Sequence, residues 1–87
     1  MLSQRDTKVL EFESAWCHYP EPKDRAIREY LGMSATRYYQ ALRRLIDDEA
    51  AAREYPLVIR RLRRMRRERK EALARRLDQA RVRVNGE

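Results

Sequence analysis

The stretch KDRAIREYLGMSATRYYQALRRLI, residues 23–46, decides how the chain folds, because it reads as a helix, a tight turn and a second helix with a solvent face of its own. Pro22 just ahead of it presets a helical φ and lacks the N–H that a first helical turn leaves unused, so the spacing predicts a helix starting there. Asp24 then lies near the positive end of the helix dipole. Ala26, Ile27, Tyr30 and Leu31 make an inward stripe, leaving Arg25, Arg28 and Glu29 for water. Gly32 supplies the positive φ that commonly ends a helix, Met33 can turn back into the core, and Ser34 is a good N-cap for the next helix. At about 100° per residue, Tyr38, Leu42, Leu45 and Ile46 gather on one side of that helix. Thr36, Arg37, Gln40, Arg43 and Arg44 gather on the other.

The outer face has the chemistry of a groove reader. Arginine can grip guanine with two hydrogen bonds, glutamine can do the same for adenine, and threonine suits a base edge or a phosphate. Arginine and glutamine are also ordinary surface residues, so a solvated face is the competing reading. The placement of Leu-Gly-Met-Ser between two amphipathic helices, three residues before an arginine, favours the DNA-facing one.

The segments Phe12-Glu-x-x-Trp16, Tyr19-Pro20, Lys23-x-x-Ala26-Ile27 and above all Leu31-Gly-Met-Ser-Ala-Thr-Arg-Tyr-Tyr-Gln40, with Leu45-Ile-Asp-Asp48, resemble a small actinobacterial family of unknown function, of host or phage origin. The resemblance covers roughly Val9 to Arg67, and the Ser-Ala-Thr-Arg-Tyr-Tyr-Gln run is its most specific part. It implies a compact helical helix-turn-helix protein and brings no catalytic residues. Cys17 and Glu49 depart from the family pattern, which has an aromatic at the first and a proline near the second. Both departures bear on local packing.

Charge is distributed unevenly. Residues 1–55 carry 9 Lys/Arg against 10 Asp/Glu, and residues 56–87 carry 12 against 4, so the whole net charge of +7 comes from the tail. Such asymmetry points to a polyanionic partner, nucleic acid before a membrane surface. With 2 Gly and 3 Pro in 87 residues, the composition favours helix throughout. The expected fold is all-α, a small helical domain with a helix-turn-helix and a long basic C-terminal helix. One cysteine, Cys17, cannot close an internal disulfide, and no Cys/His cluster has metal-ligand spacing. The start of the chain lacks the apolar run of a signal peptide, and Leu57-Val-Ile59 is far too short to cross a bilayer, so a cytoplasmic, nucleoid-associated location and no membrane partner are expected.

Ser3-Gln-Arg-Asp6 has capping-box spacing, which predicts a first helix from about Gln4 to His18. Val9, Phe12, Trp16 and Tyr19 share one face of it, Leu10 and Cys17 flank them, and Trp16 reads as the keystone of the core. His18 stands alone, which suits a surface or capping residue better than a ligand. Tyr19-Pro-Glu-Pro22 forces an extended connection. Asp47-Asp-Glu49 lacks the spaced oxygens of a calcium loop and reads as a solvated connector before a short alanine-rich helix.

Pro56 can open a last, long helix with no Gly or Pro before Gly86. Val58, Ile59, Leu62 and Met65 form its inward stripe, beside Trp16 and Leu42. Leu73, Leu77, Ala80 and Val84 form a weaker second stripe, separated from the first by two charged turns. Between Arg60 and Lys70 stand eight basic residues and one acid, with too few acids for intrahelical pairs to neutralise them. A membrane-surface helix needs a wide apolar face that this stretch lacks.

These readings converge on residues 1–55 as a helix-turn-helix core and residues 56–87 as a basic helix whose first turns pack on it. The expected function is a DNA-binding transcriptional regulator. The third helix, about residues 34–46, would enter the major groove with Thr36, Arg37, Gln40, Arg43 and Arg44. Arg60, Arg61, Arg63, Arg64, Arg66, Arg67, Arg69 and Lys70 would bind phosphates. A homodimer through the second stripe would double the half-site. The alternative is an adaptor that sets the same helices on an acidic protein surface, for example of RNA polymerase or another transcription protein. No nucleophile with a base, carboxylate pair, phosphate loop or metal cluster suggests an enzyme or a cofactor.

Overall fold

The computed structural model describes the backbone of residues 1–85 and the side chains of residues 1–81. Helix α1 runs Gln4–Ala15 and is capped by Ser3, whose Oγ accepts from the Asp6 N–H at 3.0 Å. The capping box is half made, because the Asp6 carboxylate turns away to Arg44 instead of reaching back to the cap. The helix ends before His18. At Ala15 the backbone changes, and Trp16–His18 forms a 3-10 turn that leads into the extended Tyr19 ahead of Pro20.

Helix α2, Lys23–Ala26, starts one residue later than expected. Pro22 is its N-cap, with the extended ψ of 149° that a cap adopts. It continues as a π-helical stretch, Ile27–Leu31, and stops at Gly32, whose φ is 64°. The wider π turn brings residues four apart nearly over one another, so Ile27 is buried and Leu31 is partly buried above it. Tyr30 is thereby turned outward and is 51% exposed, against the inward placement expected for it. Its ring stacks on Tyr19 at 4.6 Å and its hydroxyl donates to Glu21 Oε1 at 3.3 Å.

Helix α3, Ala35–Ile46, is capped by Ser34, whose Oγ accepts from the Arg37 N–H at 3.2 Å. Its inward side chains are Tyr38, Leu42, Leu45 and Ile46, the set expected from the periodicity. Helix α4, Glu49–Glu54, is capped by Asp48, which accepts from the Ala50 and Ala51 N–H groups. Asp47 pairs with Arg66 at 3.2 Å, so two of the three connector acids have structural work as a cap and an ion pair. Helix α5, Pro56–Asn85, is the longest element and gives the molecule its 55 Å extent.

One core gathers residues from α1, α2, the π stretch, α3, α4 and α5: Val9, Leu10, Phe12, Ala26, Ile27, Tyr38, Leu42, Leu45, Ile46, Ala51, Val58, Ile59 and Leu62. Met65, expected inward, is 38% exposed, and no side chain of α5 beyond Leu62 is buried among the described residues. The outer part of α5 therefore projects from the core. Leu73 and Leu77 are 56% and 58% exposed there, while the Val84 side chain lies outside the described residues.

Trp16 is not the keystone. The 3-10 turn carries its ring to the edge of the core, where it is partly buried and lies 4.8 Å from the Lys23 ammonium. Tyr38 is the largest fully buried side chain. It receives Phe12 edge-on at 5.6 Å, and Tyr39 edge-on at 5.2 Å, and Phe12 in turn stacks on Tyr19. Trp16→Ala is accordingly expected to cost about 1.5–2.5 kcal/mol, roughly half of what truncating a fully buried Trp costs. A urea melt measures this, and an unchanged midpoint would remove Trp16 from the packing account.

Candidate nucleic-acid interface

The turn Gly32-Met33-Ser34 sets the start of α3 at the protein surface. Thr36, Arg37, Gln40 and Arg43 are exposed, and among the described residues their side chains make no ion pair or intramolecular hydrogen bond. Arg44 differs from them. Its Nη2 donates to Asp6 Oδ1 at 2.5 Å, and the hydrogen bond to that carboxylate is the main reason the guanidinium pKa rises. It braces α3 against α1, although more than half of its side chain still faces solvent.

Round α3 the order of side chains is Ala41, Arg37, Arg44, Gln40, Thr36, Arg43, Tyr39, Ile46. Helix α1 lies on the first flank, where Arg5 joins Met33, Arg37, Gln40, Ala41 and Arg44 around one open groove. Helix α5 reaches the last flank and the end of α3, where Arg63 Nε donates to the Ile46 carbonyl at 3.0 Å and Arg66 pairs with Asp47. Gln40, Thr36 and Arg43 stand between the two.

Three of the eight basic side chains between Arg60 and Lys70 thus hold the fold. Besides Arg63 and Arg66, Arg61 donates to the Glu13 carbonyl at 2.9 Å and lies 3.6 Å from its carboxylate. Arg64 lies 3.9 Å from Glu68, an exposed pair that salt would screen. Arg60, Arg67, Arg69 and Lys70 are exposed and make no ion pair among the described residues. Arg60, Arg63, Arg64 and Arg67 also line a groove against α4, floored by Ala52, Pro56 and Ile59.

Beneath this surface, Glu13 is a buried carboxylate, 4% exposed. Tyr38 Oη donates to its Oε1 at 2.5 Å, Lys23 Nζ lies 2.9 Å from the same atom, and Arg61 approaches the other. Burial, and after it the bond to Glu13, pushes the Tyr38 phenol far up, so it stays a neutral donor. Lys23 also sits among the faces of Trp16, Tyr38 and Tyr39 at 4.8, 5.6 and 5.4 Å. Both of its attractions tie α2 to α1 and α3, which fixes the angle at which α3 is presented. Sequence reading missed Glu13 and the pairing of Asp6 with Arg44, and it missed Arg5 beside the outer face of α3. The only local hint of the first two was that each acid falls near the apolar stripe of α1.

Residues 1–76 match the family described as Protein of unknown function (DUF3263). The chain belongs to that family. The match takes in the whole core, the motif Leu31–Gln40 and the basic stretch of α5 as far as Arg76. No curated protein and no solved structure matches the chain. Among the described residues no group of three or more His, Cys, Asp or Glu gathers to hold a metal, and no helix is long and apolar enough to cross a membrane.

Proposed function

We propose that this DUF3263 chain is a DNA-binding transcriptional regulator of the nucleoid, with α3 in the major groove and α5 on the phosphate backbone. The observation that carries the reading is the outer face of α3. Thr36, Arg37, Gln40 and Arg43 are exposed, unpartnered among the described residues, and presented by a capped helix directly after a three-residue turn. An α-helix with its side chains is about as wide as the major groove, and these residue types suit base edges and phosphates there. Arg44 joins them through its outward nitrogens while Asp6 holds it. On α5, the exposed Arg60, Arg67, Arg69 and Lys70, aided by Arg64, supply affinity that does not depend on sequence. A second copy packed along Leu73 and Leu77 would pair two reading helices.

Selection of bound fragments from random duplex DNA tests the reading. On the selected site, Arg37→Ala and Gln40→Ala are each expected to lose about 1–3 kcal/mol of discrimination at one or two base pairs. Non-specific binding and thermal stability should stay as they are, since neither side chain touches the core. Full sequence preference in both variants would mean that α3 is not the reader.

A second reading, an adaptor on an acidic surface such as that of RNA polymerase, is favoured by the apolar side chains on the basic helix, above all Leu57 at 75% exposed. Binding to duplex DNA that falls steeply with salt supports the first reading. DNA binding too weak to detect at low salt, with tight binding to an acidic protein, supports the second.

A further inference from the structure

We infer that the trough between α1 and the start of α3 is a second phosphate-binding site, in which Arg5 and Lys8 grip the DNA strand on the side of α3 away from α5. The inference rests on the DNA-binding reading and adds to it a flank of the interface built from a helix so far given no part in binding.

Two adjoining depressions make the trough. Gln4, Arg5, Lys8, Leu31, Gly32 and Met33 line one, and the groove of Arg37, Gln40 and Arg44 is the other. Arg5 and Met33 belong to both, so the trough runs without a break from α1 to the reading face. Arg5 and Lys8 are one helical turn apart, both exposed, and in no ion pair among the described residues. The acid nearest to them in sequence, Asp6, is buried and already holds Arg44 at 2.5 Å. Four cations, Arg5, Lys8, Arg37 and Arg44, are therefore set against one carboxylate that is already paired. The first turn of α3 opens beside Met33 and adds the partial positive charge of its free N–H groups.

The geometry of a duplex makes such a flank necessary. A helix in the major groove has a sugar–phosphate strand on each side, and α5 bonds to α3 at its Ile46 flank. The other strand would face the Ala41 and Arg37 flank, where α1 stands. Without cations there, one strand would be gripped and the other would not. The Asp6–Arg44 brace holds α1 at that flank, which gives an acid on a DNA-binding surface a reason to be present.

The test uses Arg5→Gln plus Lys8→Gln in the full chain, titrated with a random 30-base-pair duplex and with the selected site over a range of salt. Unchanged circular dichroism and melting confirm the fold. Affinity is expected to fall on the order of tenfold on both duplexes, the log–log salt slope to become shallower by about 1.8, and sequence preference to remain. Arg5→Gln alone is titrated beside Arg53→Gln, which likewise removes one charge, from the exposed side of α4, and should leave the slope unchanged. An unaltered slope in the double variant, or an equal loss in the Arg53 control, overturns the α1 site while the DNA reading stands. Wild-type protein that binds neither duplex overturns both.

Discussion

Tyr38→Ala should be the most damaging single substitution in the chain, costing about 4 kcal/mol or more, a large part of the stability of so small a domain. Two losses add together. The ring is wholly buried against Phe12 and Tyr39, so its removal leaves a cavity that the surroundings close only in part. Its hydroxyl is also the neutral donor to buried Glu13, which would keep a charge out of water with one partner fewer. The two terms separate in Tyr38→Phe, which keeps the ring. That variant should lose only about 1–2 kcal/mol, because Lys23 and Arg61 still attend the carboxylate. Urea unfolding followed by circular dichroism measures both. A Tyr38→Ala midpoint close to that of the wild type would mean that the core is organised elsewhere.

What was legible in the sequence is what local chemistry decides. Ser3 and Ser34 cap the helices that follow them, Gly32 takes the positive φ at a helix end, and Pro56 opens the last helix. The two faces of α3 follow from its periodicity, and its inward face needed no knowledge of what packs on it. Tyr30 shows where that method fails. A 3.6-residue repeat put it inside, and the π turn, a departure from that repeat, put it outside. Trp16 fails for a similar reason, since the helix carrying it changes to a 3-10 turn one residue earlier.

The buried acids were illegible for a different reason. Glu13 finds Tyr38 25 residues away and Arg61 48 residues away, and Asp6 finds Arg44 across 38. A carboxylate on a short helix is normally a surface residue, and nothing near either one reveals a distant cation. The same long-range pairing divides the basic helix. In the sequence the eight cations from Arg60 to Lys70 are equivalent, whereas in the fold Arg61, Arg63 and Arg66 fasten α5 to Glu13, Ile46 and Asp47, Arg64 lies beside Glu68, and Arg60, Arg67, Arg69 and Lys70 make no ion pair among the described residues. Charge counting could therefore find the basic surface and not which of its cations the fold already uses.

That division fixes the second large effect. Changing Arg60, Arg67, Arg69 and Lys70 together to glutamine removes four charges from α5 without touching any of its fastenings, so the fold and its melting temperature should be kept. Each phosphate contact on duplex DNA releases counterions worth a slope of about 0.9 in a log–log salt plot, so four lost contacts should make the slope shallower by up to about 3.6. At low salt the affinity is expected to fall by roughly a hundredfold or more, on every duplex alike, since phosphates carry no sequence information. Arg61→Gln, Arg63→Gln and Arg66→Gln should give the opposite pattern. Their cations touch protein, so the loss should appear first in stability, most of all for Arg61 beside the buried carboxylate. If the fourfold variant binds DNA as the wild type does, with the same slope, the phosphates do not meet α5, and its exposed arginines serve an acidic protein surface instead.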